Sequence, residues 1–345
     1  MRALGSRLLV VTTVLSVACS GPGLPGGIGA PSSVVTPAQA VQVVRDYWRA
    51  NEQAAMSHDA ELFSRIESGL QLEADAATAR AARATATPGL AGPRPLRRVT
   101  VYVPRQPTYP AEFVALIETV AVDQRGQPTA QAFALYDHFR RAAAGARWLA
   151  DFYSLADPGH PIRFLLDGAG YASALPANAG GFLLPPAAIA GSLATYLRSG
   201  LSSGRPSGPF APGVLTTGSV SSQLGYQLNL ARQGYLTSFD YASPPFSRAY
   251  RSADGAAIVL FALRPTATVT LTDPARTCIV QPPDQLQRWG GLLPAGRYSL
   301  VALDDLLQLV AADPPAHVGA RIDVLTAADD QVAARAVPSP LSSCP

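Results

Sequence analysis

Four histidines, three cysteines and a scatter of acids are the side chains with chemistry to offer in this 345-residue chain. Histidine is the residue whose ordinary pKa suits acid–base work near neutrality. His58 stands just before Asp59, His160 sits in the turn Pro158-Gly159-His160-Pro161, and His317 follows Pro314-Pro315. No two histidines are four residues apart, the spacing that would offer two imidazoles to one metal from a helix. His138 differs, because Tyr136-Asp137-His138-Phe139 reads as a strand. Alternate strand residues share a face, so Tyr136 and His138 point together and Asp137 points away. A Tyr136–His138 pair is the candidate for acid–base chemistry; a half-buried structural pair is the competing reading.

Other catalytic signatures are not read from the chain. Gly218-Ser219-Val220 lacks the second glycine of a nucleophile elbow, and Gly191-Ser192 opens a helical segment. The basic residues are all arginine, so no lysine is present for a phosphate-binding loop or a Schiff base. No dinucleotide-binding fingerprint joins a strand to a helix. Asp304-Asp305 and Asp329-Asp330 lack the alternating acids and central glycine of a calcium loop, and read as solvated loop or cap residues. No catalytic residue, metal ligand or cofactor is assigned. The aromatic residues are the stronger lead. Tyr47, Trp48, Phe63, Trp148, Phe152 and Tyr153, with Tyr136 and His138, are expected around one interior. Mostly apolar concave interiors are the usual small-molecule pockets; a filled core is the alternative.

The elements that must position these residues follow from pattern. Thr36-Pro37 is a good helix start, with Thr as cap and Pro in the first turn. Val41, Val44, Tyr47 and Trp48 recur at helical spacing to about Ser57. Asp59 can cap a short helix carrying Leu62, Phe63 and Ile66, and Ala74 to Thr87 reads as a helix or a mobile arm. Four strands are expected at 97–103, 113–122, 132–139 and 148–155. Residues 157–185 are dense in Pro, Gly and Asn and read as a connector. Helices are then expected over 186–197 and 219–233, with a loop at 199–213. Strands are expected over 235–242, 256–263, 267–272, 298–303 and 321–325, with a helical turn near 284–289.

Charge argues against a nucleic-acid partner. The chain carries 27 basic and 24 acidic residues. Arg2 and Arg7 belong to the leader described next, leaving 25 against 24, with no basic stripe in the sequence. Residues 1–19 have secretory grammar: the two arginines, the short apolar run Leu8 to Leu15, then Ser16-Val17-Ala18-Cys19. These last four resemble a bacterial lipobox, although Ser16 stands where that pattern favours leucine. The resemblance implies diacylation of Cys19, tethering the chain to the extracytoplasmic face of the cell membrane through residues 20–35. Each buried CH₂ of the anchor contributes about 0.8 kcal/mol. Cys278 and Cys344 remain as an even number in an oxidising compartment. They are expected to form a disulfide, with free thiols as the alternative.

Helices followed by an antiparallel sheet, twice, give an α+β class. The first copy, residues 36–156, resembles the NTF2-like (cystatin-like) superfamily through Thr36-Pro37, the helix bearing Tyr47-Trp48, and the late strand Arg147-Trp148-Leu149-Ala150-Asp151-Phe152. The second, residues 186–345, resembles it by order of elements alone. The chain also looks like actinobacterial lipoproteins carrying such domains after a lipobox. The resemblance implies two tandem domains with interiors that hold apolar ligands. Three functions stay open: a binding module for a small apolar ligand or envelope partner, a structural lipoprotein of the envelope, and an NTF2-like isomerase or hydrolase.

Overall fold

The computed structural model describes residues 33–87, 92–157, 159–273, 277–280, 292–294 and 296–341. The leader with Cys19, the turn expected near 284–289, and Cys344 lie outside these residues. The tether expected over 20–35 loses its last three residues to the body. Val34 N donates to Gln106 O at 2.8 Å, and Val35 is buried.

Helix α1 (Pro37–Ser57) opens on a capping box: Thr36 Oγ1 accepts from Gln39 N, and the Gln39 side chain accepts from Thr36 N. Two otherwise orphaned donors are thereby satisfied. Helix α2 (Ala60–Ser64) is capped by Asp59, whose carboxylate accepts from Glu61 N and Leu62 N. Helix α3 (Gly69–Ala84) contains the alanine-rich segment, which is a packed helix and no arm: Leu70, Ala74 and Ala77 are buried against both sheets. Alanine lets the helix approach closely and costs no side-chain entropy.

Strands β1 (Leu96–Tyr102), β2 (Ala111–Val122), β3 (Pro128–Arg141) and β4 (Leu149–Ala156) form an antiparallel meander in chain order. Because side chains alternate across a pleat, the sheet has two distinct faces. Phe113, Ala115, Ile117, Phe139 and Ala150 pack beneath Val44, Tyr47 and Trp48 of α1. Val114, Leu116, Tyr136 and Phe152 face the other way.

The second half contributes β5 (Ala174–Leu175), α4 (Ile189–Ser203), α5 (Ser219–Arg232), β6 (Tyr235–Ala242), β7 (Ser247–Arg251), β8 (Ala257–Leu271), β9 (Ile279–Val280), β10 (Arg297–Asp313) and β11 (Asp323–Pro338). Among the described residues its strands form a seven-stranded sheet in the order β11-β10-β8-β7-β5, with β6 also on β8 and β9 also on β10. Leu193, Leu197 and Val220 of the helices cover one face, against Val259, Phe261 and Leu263. Tyr250, Ile258, Leu260 and Val310 of the other face meet Leu116, Tyr136 and Phe152 of the first sheet. The layers therefore run helix, sheet, sheet, helix. Residues 157–185, expected as a connector, add Phe164 and Ala172 to the core between the sheets. Residues 36–156 and 186–345, expected as separate units, close this core jointly.

Three local expectations differ. The strands expected over 256–263 and 267–272 are one, β8, running through Pro265. Proline lacks the N–H a central strand needs; here the β8–β10 pairing skips from Leu263↔Leu307 to Thr266↔Asp304, beside a bulge at Asp304/Asp305. Asp304-Asp305 and Asp329-Asp330, expected in loops, lie inside β10 and β11. Asp304 accepts from Thr266 Oγ1 at 2.8 Å and Arg335 Nη2 at 3.0 Å. The loop expected from 199 begins after Ser203. A Cβ on Gly200 would lie 2.7 Å from Val220 Cγ2, so this glycine lets α4 and α5 touch.

Candidate functional site: an arginine-lined groove

The β3–β4 hairpin turns through Ala142-Ala143-Ala144-Gly145-Ala146, with Gly145 at φ +79° in the left-handed region. Glycine adopts that conformation without a Cβ penalty. The turn carries Arg140 and Arg141 on its entering strand and Arg147 and Trp148 on its exit. Segment Ile66–Ser68 lies alongside β4: Ala150 N donates to Ile66 O at 3.0 Å, and Ser68 N donates to Ala150 O at 2.8 Å. This brings Arg65 to the same place.

An aromatic series holds the floor. Tyr47 meets Phe139 edge-on at 5.1 Å, Phe139 stacks on Phe113 at 4.9 Å, and Phe113 meets Trp148 at 5.1 Å. Such pairs contribute about 0.5–1.5 kcal/mol each beyond their buried area. Two adjoining hollows result. One, of about 440 Å³, is bounded by Val43, Asp46, Tyr47, Ile66, Arg141 and Trp148; the other, of about 370 Å³, by Ser64, Ser68, Arg140 and Leu149. Both also include Arg65, Ala146 and Arg147. Four arginines and one aspartate line the pair. Asp46 sits 3.3 Å from Arg49, and Arg65 is paired with Glu61 at 2.6 Å. Among the described residues Arg140, Arg141 and Arg147 have no carboxylate partner. Arg141 instead lies over the Tyr109 ring at 5.6 Å, and its Nε is buried without a hydrogen-bond partner.

The expected aromatic interior is divided by the sheet. Tyr47 and Trp148 line the groove. Trp48 lies deeper, its Nε1 donating to Arg94 O at 3.0 Å. Phe63 belongs to a separate cluster with Ala54 and Ala79. Tyr136 and Phe152 sit on the opposite face, between the sheets, and Tyr153 packs at that core's margin. One interior lined by all of them is therefore not formed, since neighbouring strand positions point to opposite faces.

Tyr136 and His138 share a face, but their chemistry is separate. The Tyr136 hydroxyl accepts from Ile162 N at 2.7 Å. His138, fully buried, places Nδ1 2.5 Å from Asp151 Oδ1 and Nε2 3.7 Å from Glu112 Oε2. Arg248 Nε of the second sheet donates to that same Glu112 oxygen at 2.8 Å. The row Asp151, His138, Glu112, Arg248 ties the sheets together inside their interface. Sequence reasoning missed its acids and arginine, which come from β4, β2 and β7. His58 caps α1 with φ 49°, and His160 pairs with Asp157 at 2.8 Å on the surface.

A second polar cluster lies under α1 and α3. Glu67 accepts from Tyr47 OH and Asn51 Nδ2, each at 3.1 Å. Burial pushes the Glu67 and Asp75 carboxyls up, and their proximity raises Glu67 further. Burial also lifts Asp137 to about 8, with Asp75 raising it and Arg94 opposing. All three carboxyls are thus held above their ordinary range by burial, Glu67 and Asp137 further than Asp75. No group of three or more potential metal ligands occurs among the described residues.

One serine motif was overlooked. Gly200-Leu201-Ser202-Ser203-Gly204 has the spacing of a nucleophile elbow. That chemistry needs a sharp strand-to-helix turn, whereas these residues form the end of α4, where Ser202 Oγ donates to Ser199 O at 3.0 Å.

The chain is similar to a Streptomyces coelicolor protein named as an uncharacterized lipoprotein. It is 29% identical over 260 residues, covering 73% of each chain. No solved structure matches the chain. A family profile described as a domain of unknown function (DUF8094) spans residues 31–335, covering both sheets and the groove, and the chain belongs to that family.

Proposed function

We propose that the protein is a lipoprotein held to the extracytoplasmic face of a cell membrane by diacylation of Cys19, and that it is a binding module and not an enzyme. The leader grammar and the lipoprotein name of the Streptomyces relative support the anchor. No helix among the described residues is long and apolar enough to cross a membrane. The observation that carries the binding reading is the groove: Val43, Tyr47, Ile66 and Trp148 present apolar surface in a hollow of about 440 Å³. That size falls within the range of ligand sites. His138 speaks against catalysis, because it is sealed between the sheets and held by Asp151. The NTF2-like likeness of residues 36–156 belongs to this proposal, supported by helices followed by a four-stranded meander.

A Cys278–Cys344 bridge completes the reading. Cys278 is buried beside β9, and Tyr298 of β10 pairs with both Ile279 and Pro338. Pro338, six residues before Cys344 in sequence, is thus brought back toward Cys278.

Native and denaturing mass spectrometry of protein purified from membranes tests the proposal. A mature chain beginning at diacylated Cys19, two hydrogens lighter than its reduced form and carrying a bound apolar mass, is the expected result. A chain without the acyl groups overturns the anchor; an acylated chain that retains no ligand and binds no apolar probe overturns the binding module.

A further inference from the structure

We propose that the arginine groove docks on anionic phospholipid headgroups of the membrane that holds the protein, taking their phosphates on Arg65, Arg140, Arg141 and Arg147. This rests on the lipid-anchor reading above. The first observation is charge. A chain whose mature charges nearly cancel gathers four arginines around one pair of hollows, with a single aspartate among them. Arginine stays charged and offers a planar fork of donors suited to phosphate. Arg140, Arg141 and Arg147 have no carboxylate partner among the described residues, so an anion meets guanidinium groups not already neutralised by a protein acid.

The second observation is where the chain enters the body. Ser33 and Val34 hydrogen-bond to the 104–106 segment. Three residues on, Tyr109 lies beneath the Arg141 guanidinium, and Ala111 pairs with Arg141 across β2 and β3. The anchored segment therefore joins the body at the end of the sheet that carries the groove. Between Cys19 and Ser33 lie 14 steps of chain. Covalent geometry limits a chain of that length to a reach of at most about 50 Å. An anchor at that reach keeps the groove at high local concentration near the headgroups.

The third observation is the aromatic wall. Trp148, half-buried, stands beside Arg147 at the rim. Tryptophan rings favour the interface between headgroups and acyl chains.

The test is co-sedimentation of the full mature chain carrying Cys19→Ala, so that only the body binds, with vesicles of neutral phosphatidylcholine or of phosphatidylcholine with about one third phosphatidylglycerol. Binding to the anionic vesicles alone is expected, weakening with salt. Each surface arginine contributes about fivefold, so Arg140→Gln/Arg147→Gln should weaken it about thirtyfold. A control, Arg205→Gln/Arg232→Gln at the exposed loop after α4 and the exposed end of α5, should leave binding within twofold. Equal loss in both pairs, or equal binding to neutral vesicles, overturns the proposal. So does binding abolished by millimolar glycerol phosphate, which would make the groove a site for a free phosphate. An apolar probe still bound by a chain that ignores anionic vesicles would sink this inference and leave the binding-module reading standing.

Discussion

Two neighbouring regions at the first sheet, one buried and one open, gather like charges and treat them in opposite ways. Beneath α1 and α3, Glu67, Asp75 and Asp137 are drawn together out of water, and burial pushes each pKa up. A carboxyl has the option of holding a proton, so burial favours the neutral form here, most for Glu67 and Asp137. At the hairpin end, Arg65, Arg140, Arg141 and Arg147 gather at the rim of an open groove. Arginine cannot shed its charge, so the groove keeps its field. The lesson is that clustering alone does not mark a site: buried acids can relieve their charge by taking up protons, and the arginines cannot.

The largest expected effect cuts the element common to both regions. Phe139 stacks on Phe113 below the groove and meets Tyr47, whose hydroxyl donates to Glu67. Phe139→Ala should destabilise the fold by about 3–5 kcal/mol in urea denaturation; a smaller loss would show that the aromatic series does not join the two regions. Next, Asp137 carries a folded pKa raised from 3.8 to about 8. A raised carboxyl contributes stability that is fully present below about pH 4 and is lost as pH climbs toward 8. The slope is about 1.4 kcal/mol per pH unit for one such group. Asp137→Asn should flatten the decline of stability between pH 5 and 8, and an unchanged slope would mean that Asp137 ionises freely. Smallest is the stability effect of Arg147→Gln. An exposed residue with no ion partner should change unfolding free energy by no more than about 0.5 kcal/mol. A loss above 1 kcal/mol would make Arg147 a structural residue like the acids.

Much of the first half was legible. The Thr36-Pro37 start, the Tyr47-Trp48 stripe and the four strands all follow from local periodicity, and each expected strand overlaps an observed one. The prediction that Asp137 and His138 face opposite ways also follows from the pleat. What local pattern cannot supply is which face meets which layer. The aromatics were grouped as one interior because each is apolar, while the sheet assigns Tyr47 to α1 and Phe152 to the second sheet. The lengths of β10 and β11 were missed because acids at 304–305 and 329–330 look like loop residues. In the fold, Arg335 and Thr266 meet Asp304, and the Tyr153 hydroxyl donates to Asp330 at 2.5 Å. Part of the groove was open to sequence reasoning: Arg140-Arg141 and Arg147 flank an Ala/Gly turn between two expected strands. Arg65 was not, since it reaches the groove through the hydrogen bonds of Ile66 and Ser68 to Ala150.

The most direct test of the groove as the contact surface is hydrogen–deuterium exchange on the full mature Cys19→Ala chain, with and without phosphatidylglycerol-containing vesicles. The account predicts slowed exchange in peptides covering 140–149 and 64–68, with the α4–α5 face, 199–232, unchanged. Protection centred on 199–232 instead, or none at 140–149, would contradict it.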